Sequence, residues 1–417
     1  MSSTAGTAAP DTRGDGHPRS RHGWRIVAAL AITQTIGYGV LYYAFSVFLT
    51  PMARDLRASH TQIATALTLS VLIAALCAPL VGRRLDTHGG RGLMTAGSML
   101  GAVAVLAWSQ VHNLLQLYAV FAAIGIACSM VLYEAAFAVV LSWFDSKARG
   151  NALLAVTIVA GFASSIFIPL TGLLVATYGW RLALVALALI YAVTAIPLHG
   201  LVVRRTSTAR KVTEDRAEIV KEAVRRRPFW LLVIAFTANG GAVSVMAVLL
   251  VTYLIHLGHA PVLAATLAGL LGVLSVTGRL VTTGLQTRLP VALIAATIFA
   301  LQGVAVLLLP LAGRTVPGAI ACVLGFGLGF GIASITLPQL LVKQYGTAAY
   351  ASISGRIAVF SVADKALAPL GAVALARAIG YTWVMTAVAI ASVIAAFALV
   401  AYHRVSFRQM SNQEAPS

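Results

Sequence analysis

The chain has 417 residues, 59% hydrophobic and 10% charged, with a mean hydropathy of +0.89. Soluble domains carry about 25% charged residues, so a soluble globular protein is excluded. The net charge of +18 does not point to nucleic acid. Its basic residues cluster in short segments between apolar runs, as in loops beside membrane spans, and form no aromatic-interleaved face.

Residues 1–22 are rich in Gly, Ser, Thr, Pro and charge and lack an apolar core. They read as a disordered cytoplasmic tail, and the first span is not a cleaved signal peptide. A bilayer core needs about 20 apolar residues per helix. Such windows lie near 25–50, 61–82, 92–110, 114–142, 150–177 and 181–201, forming a first unit over 23–202. A second set lies near 229–255, 262–285, 289–312, 317–342, 354–376 and 381–402, forming a second unit over 229–403. The fold class expected is an all-α polytopic membrane protein with twelve spans in two six-helix halves.

Between the halves, 203–228 is the longest polar segment. Helix-forming residues from Thr213 to Arg227, closed by Pro228, predict an amphipathic surface helix there. Residues 404–417 are expected to form a second cytoplasmic tail. Of the Lys and Arg residues, 22 fall on one side of this topology and 5 on the other. The rich side is expected to be cytoplasmic, with both termini inside a bacterial-type inner (plasma) membrane. Cys77, Cys128 and Cys322 lie in apolar spans without metal-ligand spacing and read as free thiols.

Four ionisable residues sit inside apolar spans: Glu134, Arg279, Asp364 and Lys365. Each costs roughly 2.5–3.5 kcal/mol on insertion scales, so each must pair, face a wet cavity or handle a substrate. Arg279 carries a planar fork suited to a carboxylate. Lys365 falls near the middle of its span. Asp364, its neighbour, points about 100° away, so the two cannot face one spot. Glu134 is read as a counter-charge or as a proton carrier, since burial raises a carboxylate pKa toward neutrality. Tyr42, Tyr43 and Tyr133 offer ring faces and hydroxyls, and Gln34, Asn239 and Gln339 are weaker polar candidates. Pro338 is expected to kink the tenth span. Gly325, Gly327, Gly329 and Gly331 form small-xxx-small pairs that favour close packing, and His256 and His259 belong to a turn. No Walker motif, metal cluster or catalytic triad is present, so neither a cofactor nor an enzyme is expected.

The segment GRRLDTHGGR at 82–91, between spans two and three, resembles the signature loop of the major facilitator superfamily. Its glycine, its acid four residues later, a second glycine and a basic residue are Gly82, Asp86, Gly89 and Arg91. Asp86 can accept from helix-terminal amides and latch a gate. The cognate GRLVTTGLQTR at 278–288 keeps its glycine but puts Arg288 where an acid is expected, so its latch should be weaker or absent. The resemblance implies spans 1, 4, 7 and 10 around a cavity and 2, 5, 8 and 11 at its flanks.

Within the superfamily, the chain resembles the monocarboxylate-porter and oxalate–formate-exchanger branch. The supporting segments are GWR at 23–25, YGVLYYAFSVFLTP at 38–51 and WFDSKARG at 143–150. The resemblance makes Arg279 a carboxylate-binding residue and Lys365 the second cation of oxalate exchangers. Two departures stand out. Ser275 replaces the acid of proton-coupled members one turn before Arg279. The Gly-Pro pair of drug antiporters is missing around Pro169 to Gly172.

The function expected is alternating-access transport of a small organic anion, coupled to protons or to exchange, by a monomer in the lipid bilayer. Proton-coupled efflux of drug-like or secondary-metabolite compounds is the alternative, and a non-transporting membrane receptor is the alternative of another class.

Overall fold

The structure, a computed structural model, describes residues 18–204 and 214–414. Most of the expected 1–22 tail, part of the 203–228 loop and the last three residues lie outside the described residues.

Helices account for the membrane-spanning runs, and among the described residues there is no strand. Ten runs are long and apolar enough to cross a bilayer. One of them, Ala148–Val202, has 55 residues. A helix of that length would reach about 80 Å, far beyond a bilayer core. It divides at Gly179, whose φ of 76° reverses the chain. The tenth span escapes the same test because it is broken: α13 (Val316–Gly327) and α14 (Ala333–Tyr345) flank non-helical residues 328–332. Counting both gives twelve spans.

In chain order the first span is α1 (Pro18–Tyr38), a π-turn (Gly39–Tyr43) and α2 (Phe45–Asp55). Spans two and three are α3 (His60–His88) and α4 (Gly90–Trp108). The fourth joins α5 (Leu114–Val131) to α6 (Tyr133–Trp143). The fifth and sixth run through α7 (Ser146–Ala160) and α8 (Ala163–Pro197). After the surface helix α9 (Glu214–Arg225) come α10 (Arg227–His256), α11 (Pro261–Leu285) and α12 (Val291–Ala312). The tenth span follows, then α15 (Tyr350–Ile379) and α16 (Tyr381–Glu414).

Polar side chains start several spans by satisfying orphan amides. Ser59 and Gln62 form a capping box on α3, and Asn113, Asp145 and Thr315 cap α5, α7 and α13. The helix at each end of the chain is longer than expected. α1 begins at Pro18 and α16 continues to Glu414, where the sequence reading put a tail. Tyr402 and Ser406 tie α16 to Leu340 and Gln344, which holds the extra turns. α9 lies where expected and turns Val220 and Ala223 into the protein.

The cores set the conformation. On the face that carries the basic loops, one apolar core joins both halves, bringing Leu85, Phe137 and Val156 together with Phe229, Ile353 and Tyr402. Toward the opposite face the halves keep separate cores, one around Phe45, Trp108 and Tyr191 and the other around Leu250, Phe326 and Met385. In the first of these, Trp108 Nε1 donates to Met52 Sδ at 3.0 Å and its ring packs on Phe48 and Phe121. The molecule is therefore closed on its basic face.

Candidate functional site

The candidate site lies where the shared core ends. Leu132 belongs to an outer core and Ala135 to the shared one, so Tyr133 and Glu134 sit between them. Gly240 lies likewise between Phe236 and Ala242, and Lys365 between Ile357 and Ala372.

Broken helices surround this level. The π-turn in the first span closes with Ala44 N–H donating to Gly39 O at 2.9 Å and brings Tyr42 and Tyr43 alongside Tyr38. The fourth span breaks at Leu132, whose ψ of −164° is extended. The Gln34 amide donates to the buried Val131 carbonyl, freed by the break, at 2.7 Å, which makes the break affordable. Gln34 is thus consumed as a structural partner. Tyr133 and Glu134 then open α6, at the positive end of its dipole. Irregular backbone at membrane depth is tolerated where it lines a cavity or is buried in protein.

Tyr38, Tyr42, Tyr43 and Tyr133 form one cluster. Ring centroids of Tyr38 and Tyr133 are 4.7 Å apart, those of Tyr42 and Tyr43 5.3 Å, and Tyr133 stacks on Phe137. Tyr38 was not singled out by the sequence. The signal lies in the backbone: the i→i+5 bonding of the π-turn brings positions 38 and 43 toward one face.

Arg279 is 8% exposed. Its Nε donates to Gly331 O at 3.1 Å and its Nη1 to Thr157 O at 2.9 Å. Gly331 lies in the break of the tenth span, and both Arg279 and Ser275 crowd the place a Cβ would take. Thr157 belongs to α7, so Arg279 bridges the halves. No acid pairs with it among the described residues, and Nη2 has no acceptor from those residues. Its electrostatic neighbours are Tyr133, Tyr43 and Tyr38.

Lys365 is ringed by protein and yet exposed, so its ammonium borders an internal space. Its stem runs along Gly240, where a Cβ would meet Cε at 3.1 Å and Cγ at 3.3 Å. Pro369, one turn on, lacks the N–H that would bond the Lys365 carbonyl; Ser244 Oγ donates to that oxygen at 2.6 Å instead. Glu134, from the other half, acts on Lys365 more strongly than adjacent Asp364 does. Neither carboxylate comes within ion-pairing distance of it among the described residues.

The remaining candidates lie elsewhere. Asp364 points away from Lys365, rests on Gly241 and lines a separate apolar crevice of about 550 Å³ between α10, α15 and α16. Asn239 is 1% exposed and donates to Gln302 Oε1 at 3.0 Å, inside its own half. Gln339 lies beside Gly150 and Gln286 at the closed face. Helical spacing brought these three toward the interior but could not say which interior surface they meet. Pro338 stays within α14; the break falls at 328–332, where glycines pack tightly on Leu274, Gln302 and Arg279.

At the closed face, Asp86 accepts from Ala351 N–H at 3.1 Å and Ser352 N–H at 2.7 Å, two amides at the start of α15. Gly82 lies against the Ala351 carbonyl with no room for a Cβ, and Gly355 against the Ala78 carbonyl likewise. Gly89 turns the chain with φ 78°. Arg91 is exposed and outside these contacts. Arg288 is exposed too.

Discontinuous spans around a midplane cluster between two halves, closed on one face, make the architecture of an alternating-access carrier. A family model described as Major Facilitator Superfamily matches residues 30–363. The chain belongs to the major facilitator superfamily. It is a multi-pass membrane transporter and not an enzyme. An MFS-type efflux pump of Mycolicibacterium smegmatis is 31% identical over 240 residues, so the chain spans about half that relative's length (55% of each chain). Monocarboxylate transporter 13 of Bos taurus is 26% identical, over 78% of this chain and 76% of that one. Among solved structures, the transporter shares its fold with the E. coli fucose:proton symporter, with TM-score 0.72 and 15% identity over 90% of this chain and 98% of that one. A bacterial homologue of the iron transporter ferroportin, in an outward-facing state, gives TM-score 0.75 and 16% identity over 91% and 99%.

Proposed function

We propose that the transporter moves a small organic anion of monocarboxylate type by alternating access. The observation that carries this reading is the presence of two intramembrane cations, Arg279 and Lys365, neither with an acid at ion-pairing distance among the described residues. With Asp364 turned into its own crevice, Glu134 is the acid left to face Lys365. An anion completes that balance. The extended likeness to a monocarboxylate transporter supports the same substrate class.

In this reading Arg279 Nη2 and the Lys365 ammonium take the carboxylate, while Tyr38, Tyr42, Tyr43 and Tyr133 bound the organic part. A carboxylate is a stronger acceptor for guanidinium than a neutral carbonyl. Substrate that takes the guanidinium through both Nη2 and Nη1 draws Nη1 from the Thr157 carbonyl and loosens the bond that helps hold α7 to α11. Glu134 carries the coupling proton: protonation removes the negative charge facing Lys365 and favours anion entry. Gly82 and Asp86 latch the basic face, and the units 23–202 and 229–403 rock about the site. That face is cytoplasmic in a bacterial-type inner membrane, by the asymmetry of its basic loops, and the working unit is the monomer.

The test is uptake of labelled lactate, pyruvate and oxalate into proteoliposomes, with and without a pH gradient. Saturable uptake lost in Arg279→Ala is expected, with the gradient dependence lost in Glu134→Gln. The 31% identity to an efflux pump favours a second reading, export of an amphiphilic compound through the tyrosine-lined space. Dye efflux with no acid uptake would select it.

A further inference from the structure

Arg83 leaves α3 in the first half, Arg356 leaves α15 in the second, and the two repel each other across the closed gate. Both border a cavity of about 490 Å³ on the basic face, and α9 adds Arg216, Lys221 and Arg225 to its wall. The one acid there is Asp86, whose two carboxylate oxygens already accept from α15 amides. Five cations thus converge from three helices on a concave space with one committed carboxylate. Cations that only set membrane orientation have no reason to converge. Arg84, next in sequence, is exposed and outside this space, and Glu222 is engaged by Arg226.

Arg216 ties the elements together, donating through Nη1 to the Asp86 carbonyl at 2.5 Å. The wall therefore combines the end of α3, the start of α15 and α9. It exists as one surface only while the halves touch on this face.

We propose that this cavity binds a net-anionic phosphate group and that its occupant clamps the basic-face gate shut. Arginine forks and a lysine ammonium suit phosphate oxygens, and a dianion relieves the repulsion between Arg83 and Arg356. The occupant favours the closed face because the complete site belongs to that state alone. An anionic lipid headgroup and free phosphate share this chemistry. The proposal is independent of what the midplane site carries.

The full-length protein is placed in phosphatidylcholine nanodiscs and titrated with inorganic phosphate, with chloride at matched ionic strength as control. A second set of nanodiscs contains phosphatidylglycerol. Thermal unfolding reports binding, and a spin-label pair at positions 84 and 343 reports closure. A phosphate-dependent rise in unfolding midpoint and a narrowed distance distribution are expected. Response to phosphatidylglycerol alone identifies a lipid headgroup; response to inorganic phosphate identifies the free anion. The double variant Arg83→Gln/Arg356→Gln should need about tenfold more anion or lose the response. Equal effects of chloride, or an unchanged response in the variant, overturn the proposal. If that variant does not fold, Lys221→Gln/Arg225→Gln at exposed positions of α9 replaces it, and an unchanged response there is equally fatal.

Discussion

The segments 82–91 and 278–288 fall at the same end of spans two and eight, and each begins with a glycine pressed on a carbonyl, although the glycine four residues before Arg288 is the open Gly284. Gly82 meets Ala351 of the other half, whereas Gly278 meets Leu328 of its own. Four residues after Gly82, Asp86 reaches two amides of α15, while Arg288, four residues after Gly284, is exposed. Gly82 is thus packed at a contact between halves, and Gly278 at one inside its own half. The cross-half bond that Arg288 does not make is supplied from the same segment, deeper in the span, by Arg279 on Thr157 O. One gate is held by a dedicated latch and the other by the proposed substrate-binding residue. That asymmetry ties only one side of the gate to occupancy.

Substitutions can break this contrast, and the largest effect is expected at Gly278. Gly278→Ala drives a methyl into the Leu328 carbonyl and should lower stability by about 1–3 kcal/mol or more, read as a drop in thermal midpoint. Gly82→Ala should leave the midpoint nearly intact, because each half still packs, but reduce transport by about tenfold or more through failed closure. Similar stability losses at both glycines would erase the distinction. Asp86→Asn keeps one acceptor and loses the charge, at about 1.5–3 kcal/mol. The closed-to-open ratio should fall by about tenfold or more by the same figure, measured by spin-label distances across the basic face. Arg288→Asp restores the acid of the symmetric pattern. With no amide pair shown facing it, uptake should change by no more than about a few-fold, as for an exposed charge.

Apolar runs made the spans legible, because lipid imposes a length and a composition on every crossing. The surface helix before Pro228 was legible from its own residues, and so was the opposed orientation of Asp364 and Lys365, which follows from helix geometry. The breaks were not. Val131 and Leu132 carry no Gly or Pro signal, and the fourth span parts there because Gln34, on another helix, donates its amide N–H to the freed Val131 carbonyl. Asn239 and Gln339 show the same limit: periodicity turns a polar residue inward, but only packing decides whether it meets the cavity, Gln302 or the closed gate.

The partners of Arg279 are main-chain oxygens, and that has a genetic consequence. Every residue type at position 157 offers the same carbonyl, so replacing Thr157 does not delete the acceptor. A mutational screen would recover the arginine and pass over half of what holds it. Covariation would fare no better, since backbone atoms leave no paired substitutions to detect. Position 157 is free to diverge in sequence while the cation stays fixed; position 331, where a Cβ has no room, is not.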